Sequence, residues 1–173
     1  DWKYPGQWPA GKWIPTPELI GQALTPLGIN WYASIHPHTG NPDNKLCGDE
    51  ETIEAILGYA RRMEAAGGHL GIILDDVRFP IHPYDMEKFG TAREADTYII
   101  TNVFRRLKKE YPKARMIVCP PFYYGPVGRV SPEYGEPRDP YLRMIGEKWP
   151  QEIDICWTGQ QVNGMPLAKK IYV

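Results

Sequence analysis

Four short apolar runs recur along the chain at spacings of roughly 40 residues, with a helix-type stretch between each neighbouring pair. The runs lie near 29–35, 70–75, 116–119 and 153–157. Between the first and second, Asp49 stands as an N-cap before Ile53, Ile56, Leu57, Ala60 and Met63, which follow helical spacing, and Gly67-Gly68 stops the helix. Between the second and third, Thr91-Ala92-Arg93-Glu94 is a capping box that opens a helix running to about Glu110, before Pro112. A short helix near 140–147 precedes the fourth run, and another, from Glu18 to about Leu24, precedes the first. This alternation predicts a parallel α/β sheet with right-handed crossovers. Parallel strands covered on both faces read as continuous apolar sequence, as Leu70-Gly71-Ile72-Ile73-Leu74 does.

With 173 residues the chain has enough material for one domain with a real core. Four strands are half of a (β/α)8 TIM barrel, and the chain falls short of the ~250 residues usual for that fold. The fold class expected is therefore a partial parallel barrel of four to five strands, with Lys170-Ile171-Tyr172-Val173 as the start of a fifth element. A small open α/β sheet is the alternative. No glycine-rich phosphate loop follows any run, which argues against a nucleotide fold.

Composition narrows the partners. A net charge of −1, with Lys and Arg scattered, gives no support for nucleic-acid binding. Arg105-Arg106 and Lys108-Lys109 sit at a helix C-terminus, where they suit the dipole. No apolar run approaches membrane-spanning length, and no signal peptide is visible. Eighteen prolines, six tryptophans and eleven tyrosines suggest long ordered loops with aromatic faces, which often line sugar sites. Residues 1–17, rich in Trp, Pro and Gly, read as one such loop. Three cysteines cannot all pair internally: Cys119 and Cys156 read as small buried hydrophobes, Cys47 lies in a loop, and nothing demands an oxidising compartment.

The residues with chemistry to offer follow the strands: His36 and His38, Asp75 and Asp76, Tyr123 and Tyr124, Trp157 and Thr158. The C-terminal ends of barrel strands are where such folds place their chemistry. Asp75 and Asp76 are the sharpest feature, because an apolar strand runs straight into them and breaks at Pro80. Neighbouring strand residues point to opposite faces, so both carboxylates share one cavity only where the pleat is lost. Two carboxylates in one cavity repel, and the pair titrates as a unit, giving a proton donor beside a carboxylate. The plainer reading is a strand end whose Asp residues cap the next helix or meet Arg78. A metal-dependent hydrolase, such as a deacetylase, is the rival enzyme, with His36, His38, Asp75 and Asp76 as ligands. His69 and His82 read as structural.

The segments from Gly71 to Asp76, Cys119-Pro120-Pro121-Phe122-Tyr123, Tyr141-Leu142-Arg143-Met144-Ile145-Gly146-Glu147 and Ile153-Asp154-Ile155-Cys156-Trp157-Thr158-Gly159 resemble glycoside hydrolase family 84. These are the β-N-acetylglucosaminidases that include the protein O-GlcNAcases. The resemblance runs from about Pro17 to Val162, and the Tyr-Leu-x-x-Ile-Gly-Glu stretch leading to Trp-Thr-Gly is its most specific part. It implies that residues 1–173 are a single, partial catalytic barrel domain. Asp75 would orient and polarise the substrate's N-acetyl group, and Asp76 would serve as general acid and then base. Tyr123 would help hold the acetamido oxygen, with Thr158 in the same pocket. The substrate implied is a GlcNAc-containing glycan or glycoprotein, and no cofactor or metal is called for. The chain departs from the family pattern at Pro121-Phe122, where Thr-Glu usually precedes the tyrosine. The family's first strand, and a later Trp-x-Asn stretch that grips the sugar hydroxyls, are not in the sequence, so an inactive or sugar-binding fragment is the non-enzymatic alternative.

Elementary chemistry is compatible with this resemblance. Carboxylates that flank a glycosidic bond stand ~5–5.5 Å apart for retention and ~6.5–9.5 Å for inversion. Two adjacent residues on one strand end do not straddle a sugar ring easily. They can act from one side when the substrate supplies its own nucleophile, here the 2-acetamido oxygen.

Overall fold

The computed structural model describes residues 16–37, 48–75, 83–125 and 137–159. Four parallel strands form one sheet in chain order: β1 (Tyr32–Ile35), β2 (His69–Ile73), β3 (Met116–Cys119) and β4 (Ile153–Ile155). Among the described residues five α-helices accompany them: α1 (Pro17–Leu24), α2 (Glu50–Ala65), α3 (Pro83–Phe89), α4 (Ala92–Glu110) and α5 (Arg138–Lys148). The alternation expected from the sequence is thus present, with every strand parallel to its neighbour.

Local chemistry sets the helix ends. The Asp49 carboxylate accepts from the Thr52 N–H at 2.7 Å and starts α2. The Thr91 hydroxyl accepts from the Glu94 N–H at 3.4 Å and itself donates to the Glu94 carboxylate at 3.2 Å, starting α4. At the far end of α2, Gly68 N–H bonds the Met63 carbonyl at 2.9 Å and Gly67 N–H bonds that of Glu64 at 3.0 Å. This paired closure needs a left-handed residue, and Gly67 supplies it with φ +80°.

The sheet buries one face under α2 and α4. Ile35, Leu70, Ile72, Leu74, Met116, Val118 and Ile153 meet Ile53, Ile56, Leu57 and Ala60 of α2 and Ile99, Ile100, Val103, Phe104 and Leu107 of α4. Each fully buried aliphatic side chain there contributes about 1.5–3 kcal/mol, so this layer dominates stability. The other face carries the alternate residues: Tyr32, Ser34, Gly71, Ile73, Ile117, Cys119 and Asp154. It is curled. A flat sheet would set β1 and β4 about 14 Å apart, three spacings of ~4.8 Å, yet the Tyr32 hydroxyl donates to Asp154 Oδ2 at 3.1 Å. A concave inner face with helices outside is the geometry of a (β/α)8 barrel, of which the described residues form a four-strand segment.

Several expectations need correction. β1 begins at Tyr32 rather than Ile29, which is 46% exposed, and β4 ends at Ile155 rather than Trp157. After Pro80 the sequence reads as a loop through His82-Pro83-Tyr84-Asp85, yet Pro83 opens helix α3: proline suits a helix's first turn, and buried Asp85 accepts from the Gly48 N–H at 2.9 Å. A barrel segment built from apolar strands predicts an exposed apolar inner face, but the face is mixed in polarity, with Tyr32, His69, Arg115 and Asp154 gathered at its lower end. Cys119 and Cys156 are half-buried rather than core residues. Residues 1–15, His38, Cys47, Asp76, Arg78, His82 and the 170–173 segment lie outside the described residues.

Candidate functional site

The C-terminal edge of the sheet carries His36, Asp75, Tyr123, Tyr124, Trp157 and Thr158, those of the residues singled out in the sequence that are described. Regular pleating of β2 ends at Ile73, and Leu74 still donates its N–H to the Cys119 carbonyl at 2.8 Å. Leu74 therefore drops into the helix-side core while Asp75, of opposite parity, goes to the inner face. There its Oδ1 lies 3.6 Å from Nδ1 of His36, which directly follows β1. That separation is too long for a hydrogen bond and fits an ion pair when the imidazole is protonated. Asp75 Oδ1 is buried and finds no hydrogen-bond donor among the described residues.

Gly71 clears the approach between β1 and β2. A Cβ there would stand 2.1 Å from the Ser34 hydroxyl, so only glycine leaves the strands this close on the inner face.

Tyr123 and Thr158 come together at the neighbouring strand ends. The parallel pairing of β3 and β4 continues past their last strand residues, through the Cys156 N–H and Val118 carbonyl at 2.8 Å. It then recurs between Thr158 N–H and the Tyr123 carbonyl at 2.9 Å, and between Gly125 N–H and the Gly159 carbonyl at 2.7 Å. Tyr123 is buried, with its ring edge-on to Tyr124 at 5.2 Å, whereas Thr158 is exposed. The His36–Asp75 pair and the Tyr123–Thr158 pair share one sheet edge, joined by the β2–β3 ladder. Asp76, the second carboxylate, lies outside the described residues. Among the described residues no three His, Cys, Asp or Glu side chains form a group that could hold a metal ion.

One supporting residue was missed in the sequence. Arg138, in the first turn of α5, is buried, donates to the Gly125 carbonyl at 2.8 Å and lies 5.3 Å from the Trp157 ring. It ties the loop after β3 to the loop after β4. A signal existed: a cation in a helix's first turn opposes the dipole and so needs another reason to be there. Behind it, Tyr141 donates to buried Asp96 at 2.7 Å and packs edge-on against Phe122 at 5.3 Å, which backs the residue next to Tyr123. The grooves flanking α5 are lined by residues such as Tyr98, Met144 and Trp149, none of which is a strand-end residue.

Known proteins share this fold. The family model for NAGidase, beta-N-acetylglucosaminidase, matches residues 5–171. A mutant of the Thermobaculum terrenum O-GlcNAc hydrolase superposes with a TM-score of 0.68 at 30% sequence identity, over 84% of this chain. The structure of CpGH84B superposes over 92% of this chain with a TM-score of 0.53 at 18% identity, a likeness of fold. The chain spans 29% of the first of those chains and 26% of the second. With a family model matched over nearly its whole length, the chain belongs to the β-N-acetylglucosaminidase (NAGidase) family, the glycoside hydrolase family 84 that its strand-end motifs resemble.

Proposed function

We propose that this chain carries the acid/base and acetamido-binding part of a retaining β-N-acetylglucosaminidase that works by substrate assistance. The substrate is a terminal β-linked GlcNAc on a glycan or glycoprotein. The observation that carries the reading is Asp75: its Oδ1 is buried at the C-terminal end of a barrel strand and has no donor among the described residues. A carboxylate oxygen held so is costly until something donates to it, and an acetamido N–H is such a donor. Accepting that hydrogen bond makes the acetamido oxygen more nucleophilic and stabilises the positive charge that develops on the amide.

In this mechanism the acetamido oxygen attacks the anomeric carbon while Asp76 gives its proton to the departing glycosidic oxygen. The bond to the aglycone breaks and a bicyclic oxazolinium forms, its charge offset by Asp75. Asp76, now a carboxylate, takes a proton from water, which opens the ring from the opposite side. Two inversions give net retention. Tyr123 and Thr158 hold the acetamido group against rotation, which keeps the reacting atoms in line.

The test is a comparison of leaving groups in the intact protein. Asp76→Asn is expected to cut turnover of substrates with poor leaving groups about 10²–10⁴-fold while sparing the first step on aryl glycosides, which need little protonation. Asp75→Asn is expected to slow both classes alike. Tyr123→Phe should act in the same sense as Asp75→Asn, more mildly. A leaving-group-dependent loss for Asp75→Asn, with a uniform one for Asp76→Asn, would mean the two roles are exchanged. No release of GlcNAc by the unmodified protein would sink the reading itself.

A further inference from the structure

Cys119 closes β3 and Cys156 directly follows β4, and the register sets them opposite each other. Ile117 pairs with Asp154, so the next pair on that face, two residues further along each strand, is Cys119 with Cys156. The ladder still holds at this level, because Cys156 N–H donates to the Val118 carbonyl at 2.8 Å. Neighbouring strands lie about 4.8 Å apart, within the window of roughly 4.4–6.8 Å between Cα atoms that a disulfide requires. The two side chains hydrogen-bond each other, neither is in a disulfide, and both are partly exposed. The hydrolytic chemistry uses neither.

We propose that Cys119 and Cys156 form a vicinal dithiol site that closes to a disulfide by exchange with a low-molecular-weight disulfide such as oxidised glutathione. In the first step one cysteine thiolate attacks a sulfur of the reagent, forming a mixed disulfide and expelling one glutathione thiolate. The second cysteine, having given its proton to solvent, attacks the protein-bound sulfur of that mixed disulfide and expels the other. The two cysteines are oxidised together by two electrons, and the reagent is reduced to two thiols. Whichever cysteine reacts first, Cys156 must attack as a thiolate in one of the two steps. Burial pushes its thiol above the ordinary value, opposed in part by the hydrogen bond from Cys119.

The bond would form beneath the candidate site. Cys119 pairs with Ile73, two residues before Asp75, and Thr158 comes two residues after Cys156. Closure would pin β3 to β4 directly below the Tyr123–Thr158 contact.

The experiment is thiol mapping of the intact, folded protein after incubation with oxidised glutathione. Remaining thiols are alkylated and the protein is digested for peptide analysis. The expected result is loss of two thiols, a peptide cross-linked between Cys119 and Cys156, and reversal by dithiothreitol. The rate should rise roughly tenfold per pH unit through neutrality, following the thiolate fraction. In Cys156→Val, Cys119 should stop at a single glutathione adduct; if that variant does not fold, the map of the unmodified protein decides alone. Unreacted thiols, stable glutathione adducts on both cysteines, or a cross-link running to Cys47 would each overturn the proposal. Thiol counting is independent of hydrolysis, so this result stands apart from the outcome of the leaving-group test.

Discussion

A phenol that donates to a carboxylate resists losing its proton, and Tyr32 does so while partly sheltered on the inner face. Burial is the larger cause that raises its pKa, and the hydrogen bond to Asp154 adds to it, while the Arg115 guanidinium opposes both. The sign of the linkage follows. With a folded-state pKa above the unfolded value of about 10, the native protein binds the proton more tightly than the unfolded chain. The stabilisation from Tyr32 is complete below that unfolded value and is lost as pH rises through the folded one. Denaturant titrations at increasing alkaline pH should therefore show stability falling beyond about pH 10, with a shallower fall in Tyr32→Phe. Some slope should persist in that variant, because burial also raises Tyr59. An identical alkaline slope in the two proteins would mean that the Tyr32–Asp154 bond does not hold in solution.

At the scale of elements, two different kinds of contact join α2 to α4. On the outside, Arg61 reaches Glu110 at 2.7 Å and Glu54 at 3.3 Å, while Arg106 reaches Glu50 at 2.6 Å and also bonds Glu54. These partners raise the pKa of Arg61 and lower that of Glu110, but the groups are solvent-exposed, where ion pairs are screened. Underneath, Ile100, Val103 and Leu107 of α4 are fully buried against Ile53, Ile56 and Leu57 of α2. Magnitudes decide which matters more. Arg106→Ala should cost less than about 1 kcal/mol, and Ile100→Ala about 2–5 kcal/mol. Denaturant midpoints of the two variants would check this, and a loss at Arg106 as large as that at Ile100 would contradict it. Both helices were legible in the sequence, because apolar spacing and caps are local signals: Ile53 to Met63 behind Asp49, and the Thr91–Glu94 box. Helix α3 was not, because its stabilising contact, Asp85 to the Gly48 N–H, joins residues far apart in sequence.

At the scale of the molecule, the order of strands and their parallel pairing were legible, since alternating strands and helices leave few other topologies. A partial barrel was legible beside a small open sheet, but the contact that decides between them, Tyr32 with Asp154 across β2 and β3, was not. The site follows the same division. Asp75, Tyr123 and Thr158 announce themselves as polar residues after apolar strands, whereas the residue that fastens their loops does not. Arg138 works from a helix that packs outside the sheet, yet it reaches the Gly125 carbonyl at 2.8 Å and the face of Trp157. A lysine keeps the charge there but lacks the planar fork that can bond a carbonyl and stack on a ring at once. In Arg138→Lys the two loops should lose their common anchor, leaving a buried carbonyl short of a donor at a cost of about 1–3 kcal/mol. If the loops position the acetamido group, turnover should fall by about 10–100-fold. The fall should be equal for aryl and alkyl leaving groups, because acetamido positioning, unlike proton donation, is blind to the aglycone. Steady-state kinetics on both substrate classes, run well below the variant's melting temperature, would read this. Unchanged turnover in a folded Arg138→Lys protein would show that the strand-end loops hold their places without it.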